Sequence, residues 1–158
     1  MLMSSENSNN AIVIGAGFAG LLSARALAEH FDSVTIIEPD ALPHQGPENR
    51  RALVQSPHHH VLLMRGRKIL ERFFPGLDDD LKAAGAPLVD YANDCQLVSP
   101  VGHMPRFPSG IQIRPCSRSL LDWTLLQHVG REPAINIKEG YRVSGLTWDD
   151  EQNRVSGV

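Results

Sequence analysis

The sequence predicts an α/β fold entered through a parallel βαβ unit, and three features of its first forty residues predict it. A short apolar run, "AIVI" from Ala11, has the composition of a strand buried on both faces. A glycine-punctuated turn then leads into a helical pattern from about Ala19 to His30. "SVTIIE", rich in β-branched residues, follows as a second strand. Strand, turn, helix and strand fill the 28 residues from Ala11 to Glu38, about the length of one βαβ unit.

The remaining elements follow in order. Residues 1–10 are polar and read as a disordered leader. In the first helix Gly20, Ala24 and Leu27 share a stripe, and Arg25 and Glu29 form an i,i+4 pair. Residues 39–57 hold four prolines in nineteen positions, an extended excursion rather than another regular element. A helix from about His58 to Phe74 is expected next, with Leu63, Leu70 and Phe73 on one face and Pro75-Gly76 as its stop. Asp78, Asp79 and Asp80 suit the first turn of a short helix ending near Gly85. Residues 94–115 alternate strand-like runs with Gly and Pro and predict an inserted antiparallel β-ribbon. Ser119 and Asp122 have capping-box spacing ahead of an amphipathic helix carrying Leu121, Leu125 and Val129, with Gly130 as its C′ residue. "AINIK" is a further strand, and residues 141–158 read as a hairpin turning at "DDEQN".

Composition narrows the class. With 158 residues, 42% apolar and 21% charged, the chain has material for a globular core. A net charge of −3 and no block of Lys and Arg longer than two argue against a nucleic-acid partner. Cys95 and Cys116 make neither a CxxC motif nor a disulfide framework, as befits a reducing compartment. With neither a signal-peptide pattern nor an apolar run long enough to span a bilayer, the expected location is cytoplasmic. "HHH" at 58–60 is not read as a metal site, because i and i+2 do not share a helix face and no further ligands complete a set. The cysteines read as packing residues.

Gly15, Gly17 and Gly20, with Phe18 and Ala19 between the last two, make G-x-G-x-x-G. The first glycine permits the turn, the second lets a pyrophosphate approach the backbone, and the third lets helix and strand pack closely. The helix N-terminus offers N–H groups and a positive dipole end to phosphates. Glu38, 18 residues after Gly20, ends the second strand where a carboxylate can accept from a ribose 2′-hydroxyl and disfavour a 2′-phosphate. The motif in this context predicts a Rossmann-like FAD/NAD(P)-binding βαβ unit, but does not itself choose between NAD and FAD.

Three stretches carry a wider resemblance: residues 13–40, "RRALVQSPHHHVLLMRGRKILERFFPGL" and "RPCSRSLLDWTLL". Together they resemble the FAD-dependent oxidoreductases of the para-hydroxybenzoate-hydroxylase-like group, which includes flavin monooxygenases, halogenases and reductases. The resemblance implies FAD as cofactor, with Arg50 or Arg51 and Arg118 along it and the Val143 backbone at the adenine. His58 or His60 near the flavin is a lesser implication. Where the family has Pro-Gln this chain has Val54-Gln55. The family's later Asp-Gly and Gly-Asp segments have no counterpart dipeptides here, so the chain is expected to be the N-terminal part of an FAD-binding domain (residues 11–158), truncated at its C-terminus. On that expectation residues 94–115 begin a substrate-domain ribbon, an edge of the central sheet lies open, and a second chain could complete the domain.

The activity so implied is that of a flavin monooxygenase on an aromatic, polyketide or isoprenoid-like small molecule, with NAD(P)H as reductant and O₂ as oxidant. No residue is assigned as a catalytic acid or base. Two alternatives stand beside it: an NAD-dependent dehydrogenase, which would continue its strand–helix alternation straight after Glu38, and a non-catalytic remnant that binds a nucleotide or partner.

Overall fold

A computed structural model describes residues 9–50 and 53–158. Most of the predicted leader and Arg51 lie outside the described residues. In chain order the elements are β1 (Asn10–Ile14), α1 (Phe18–Leu27), β2 (Ser33–Glu38), β3 (His59–Leu62), α2 (Met64–Phe73), α3 (Leu77–Ala83), β4 (Val89–Asp90), β5 (Val98–Ser99), β6 (Gly102–His103), β7 (Gln112–Ser117), α4 (Arg118–Val129), β8 (Ile135–Glu139), β9 (Thr147–Asp149) and β10 (Arg154–Gly157). They form a mixed α/β chain of two compact units. One comprises residues up to 44 and from 126 onward, the other residues 45–125, so α4 begins in the second and ends in the first.

In the first unit β2 is the centre of a three-stranded parallel sheet of order β1-β2-β8. Its side chains alternate strictly between half-buried and buried, and Val34, Ile36 and Glu38 occupy the buried positions. β1 departs from the expectation of a strand buried on both faces. Only Val13 is buried, while Ile12 and Ile14 are 43% and 59% exposed. The reason is that β1 is an edge strand among the described residues, paired with β2 alone. The carboxy-terminal hairpin forms as predicted, β9 antiparallel to β10, with Asn153 in the left-handed region at its turn.

Close approach ties α1 to this sheet. Gly15 leaves β1 at φ +95°, a conformation that costs an L residue with a Cβ about 1–2 kcal/mol. A Cβ on Gly20 would lie 1.9 Å from the Gly15 carbonyl oxygen. No side chain fits there, which is why the helix can sit so close to the strand end. Leu21 and Ala24 are the buried positions of α1, and the predicted Arg25–Glu29 pair forms at 3.1 Å.

The second unit contains an antiparallel sheet of order β3-β7-β4 and a separate β5–β6 pair. The predicted helix from His58 is therefore corrected: His59–Leu62 pairs along β7, and the helix starts at Met64. With period-2 alternation and a pairing partner more than fifty residues away, this segment gains more as a strand. Leu63, expected in the apolar face, is the exposed N-cap, while Leu70 and Phe74 are buried. Of the predicted ribbon, only β5, β6 and β7 are strands. The predicted helix at Asp78 is present as α3, but its first carboxylate does more than complement a dipole. Arg114 on β7, 1% exposed, places Nε and Nη2 on the two Asp78 oxygens at 2.7 and 2.8 Å and gives Nη1 to the Ala86 carbonyl. Arg67 on α2 adds a third contact to Asp78 at 2.8 Å.

The expected capping box is corrected as well. The Ser117 hydroxyl, not that of Ser119, accepts the Leu120 N–H at the start of α4. At the other end Gly130 accompanies the helix without a positive φ, so it is no left-handed C′ residue.

Thermal and denaturant melts test these contacts. Gly20→Ala should cost about 3 kcal/mol or more, because backbone must move to admit the methyl, whereas Gly66→Ala, in α2 with open space at the Cβ position, should gain about 0.5–1 kcal/mol. Asp78→Ala should cost about 3–5 kcal/mol by stranding a buried guanidinium. The Arg114 hydrogen bonds foremost hold the Asp78 carboxyl below its ordinary range despite partial burial. Its folded pKa is depressed, so its contribution is complete above the unfolded value of about 3.9 and is lost on acidification below it. Asp78→Asn should flatten that acid limb.

Candidate functional site

Around the glycine turn, one carboxylate organises the backbone. Glu38 is 3% exposed at the end of β2. Its Oε2 accepts the Ala16 N–H at 2.6 Å, and its Oε1 accepts the Asp40 N–H at 3.0 Å. The bracing role was not read from the sequence, although an acid following an apolar strand in a βαβ unit is a signal for it.

Gly17 is the N-cap of α1 in extended conformation (φ −79°, ψ 179°), and no side chain caps the helix or places an acid in its first turn. This is the arrangement in which a helix N-terminus receives an anion from outside. Phe18 is half-buried and Ala19 exposed at the start of α1. Val143 lies half-buried in the irregular segment after β8, two residues beyond Tyr141, whose N–H donates to the Glu38 carbonyl at 3.1 Å. Gly15, Gly17, Gly20, Glu38 and Val143 thus belong to one unit.

Arg50 and Arg118 belong to the other. Arg50 is half-buried, and its backbone N–H donates to the Ser56 hydroxyl at 3.1 Å, a group only 2% exposed. Arg118 opens α4. Its Nε donates to Asp122 Oδ1 at 2.8 Å and its Nη1 to Gln55 Oε1 at 3.2 Å. Gln55 is the second residue of the Val54-Gln55 pair, and its side chain accepts from Arg118. Asp122, expected only as a cap, is a buried acid. Its i,i+4 spacing to Arg118 was the available signal.

His60 sits opposite Cys116 in the β3–β7 ladder. Burial and then the charge of Arg118 push its imidazole pKa down, with Asp122 opposing. The Cys116 thiol is pushed up, chiefly by burial. His59 and His60 alternate sides on β3, and among the described residues no three His, Cys, Asp or Glu side chains gather as metal ligands.

Comparison with known proteins sets this geometry in context. No protein-family model matches the chain. Protein Rv3254 of Mycobacterium tuberculosis is 35% identical over 156 residues, which are 95% of this chain and 32% of that protein. The tRNA 5-methylaminomethyl-2-thiouridine biosynthesis bifunctional protein MnmC of Psychrobacter cryohalolentis is 50% identical over 56 residues, 34% of this chain and 8% of that protein. Among solved structures, 2-methyl-3-hydroxypyridine-5-carboxylic acid oxygenase superposes with a TM-score of 0.60 at 21% identity, over 96% of this chain and 38% of that one. PqsL of Pseudomonas aeruginosa, described as a probable FAD-dependent monooxygenase, gives 0.65 at 14% identity over 93% and 36%. The p-nitrophenol 4-monooxygenase PnpA of Pseudomonas putida gives 0.61 at 18% identity over 90% and 34%. At these identities the shared property is the fold, and the chain spans about a third of the length of these proteins.

Replacing Glu38 by Ala strands two backbone N–H groups. It should cost about 1–3 kcal/mol in a denaturant melt for the more deeply buried of them, before any ligand is added.

Proposed function

We propose that the chain is the cofactor-binding part of an FAD-dependent oxidoreductase of the flavin monooxygenase type, with a Rossmann-like dinucleotide unit at its amino end. One observation carries the reading. A helix N-terminus without a side-chain cap, reached from the left-handed Gly15, stands beside the buried Glu38 carboxylate. These groups fit the diphosphate and ribose of a dinucleotide. The likeness of fold to several monooxygenases supports FAD over NAD. So does the chain after Glu38, which enters a proline-rich excursion and antiparallel strands instead of further strand–helix alternation.

In this reading the α1 N-terminus holds the diphosphate, Glu38 holds the ribose and the Val143 backbone meets the adenine. The resemblance adds Arg118 and either Arg50 or Arg51 as further contacts. Guanidinium groups suit that task because they bind phosphate bidentately and stay charged when partly buried. Flavin held by these residues would supply the redox chemistry, with NAD(P)H as reductant and O₂ as oxidant. The residues of this chain bind and orient. The substrate is an aromatic, polyketide or isoprenoid-like small molecule, and the setting is cytoplasmic, as the two free thiols suggest.

A second reading rests on the exposed side of β1. Ile12 and Ile14, with Leu146 and Val155, line a cavity of about 320 Å³ beside the edge of β1, which among the described residues pairs with β2 alone. We read this edge as the place where further polypeptide or a second chain adds a strand.

FAD titration of the purified protein, followed by flavin fluorescence and visible absorbance, tests the main reading. Wild type should bind, and Gly17→Leu should weaken binding by about tenfold or more by blocking the approach of the diphosphate, with little loss of thermal stability. Equal affinity of the two proteins would refute the glycine-turn site. Binding of NADH in place of FAD would favour the dehydrogenase.

A further inference from the structure

Strands β2 and β8 end on a pair of acids. Glu38 and Glu139 are partners in the parallel ladder, and each is the last residue of its strand. Registered residues of neighbouring strands point to the same face about 4.8 Å apart, where like charges oppose pairing. The fold answers that repulsion with donors. Glu38 takes the Ala16 and Asp40 N–H groups. Glu139 has its own set: Oε2 accepts the Leu42 N–H at 2.7 Å, and Oε1 meets His44 Nε2 at 2.8 Å.

These bonds cross between the strands. The chain leaving β2 is tied to the last residue of β8 through Leu42. The chain leaving β8 is tied back to the last residue of β2, where the Tyr141 N–H donates to the Glu38 carbonyl at 3.1 Å. Residues 39–44 therefore form a strap with two anchors, Asp40 on Glu38 and Leu42 on Glu139. Leu42 is buried, yet the strap borders a cavity of about 370 Å³ lined by His44, Gln127, Arg131 and Ile137 among others. Packing leaves room there, so the hydrogen bonds set where the strap lies.

The Leu42 bond is the stronger of the two on Glu139. It is charge-assisted and comes from the backbone of a buried residue, whereas His44 is 68% exposed and its contact is screened by solvent. The Leu42 bond foremost, with His44 adding to it, holds the Glu139 carboxyl below its ordinary range against the effect of burial. The acceptor is thus an anion at neutral pH.

We infer that Glu139 is a positioning residue for the acid at the glycine turn: it holds Leu42, the strap then places the Asp40 N–H, and that N–H orients the Glu38 carboxylate. Two residues span too few soft dihedrals to isolate one anchor from the other, so release at Leu42 is felt at Asp40. Glu139 acts in this way without touching a ligand. The inference rests on the flavin reading only in taking FAD as the probe of Glu38.

Two measurements on the full chain decide the matter. The first is amide hydrogen exchange of ligand-free, ¹⁵N-labelled protein. In Glu139→Ala the Leu42 and Asp40 amides should exchange about tenfold faster, and Ala16 should follow, while Ile36 within β2 keeps its protection. Glu139→Gln retains an acceptor oxygen for Leu42 and should recover part of the protection. Faster exchange at Leu42 with Asp40 and Ala16 unchanged overturns the proposal, because the tie would then be local. Equal acceleration at Ile36 also overturns it, by making Glu139 a general stabiliser, and so does a Glu139→Gln protein as loose as Glu139→Ala.

The second is FAD titration. Glu139→Ala should weaken binding about three- to tenfold. Glu38→Ala combined with Glu139→Ala should bind no worse than Glu38→Ala alone, since the anchor acts through that acid. Full additivity, or wild-type affinity in Glu139→Ala beside a weakened Glu38→Ala, overturns the proposal. A wild-type chain that takes up no FAD refutes the flavin reading instead, and the exchange experiment still decides the role of Glu139.

Discussion

The chain turns on the contact between the start of α1 and the end of β1. Gly20 must pass the Gly15 carbonyl at a distance that excludes even a methyl group. Once helix and strand meet so closely, the helix N-terminus is brought to the strand end. Glu38, on the neighbouring strand, reaches across to take the Ala16 N–H. One packing constraint therefore sets the positive helix end and the acid side by side. The acid serves the fold before it serves any ligand, so effects of its removal on stability and on affinity have to be measured separately.

The second unit is organised by charge. Arg114 and Arg118 lie four residues apart in sequence, one on β7 and one opening α4, and each meets an aspartate. The Arg114–Asp78 pair is bidentate and further satisfied by a backbone carbonyl and by Arg67. It has the features of an ion pair that holds structure. The Arg118–Asp122 pair has a single bond and a carboxylate oxygen left over. The same two residue types thus form pairs that differ in how fully the carboxylate is satisfied.

The sequence by itself determined the local features: the βαβ unit, the roles of Gly15 and Gly20, the Arg25–Glu29 pair and the terminal hairpin. Each depends on backbone conformational preference or on neighbours within a few residues, and so is written in short-range spacing. The tertiary structure decided what depends on remote partners. His59–Leu62 is a strand because β7 lies beside it, and β1 is exposed because nothing described pairs with its outer edge. Asp78 and Asp122 read alike as helix-start acids. One became an anchor for a buried arginine 36 residues away, and the other a half-satisfied charge among groups drawn from four segments. Long-range pairing and burial arise only when the chain is folded, because they depend on which surfaces meet and not on the order of residues along any one of them.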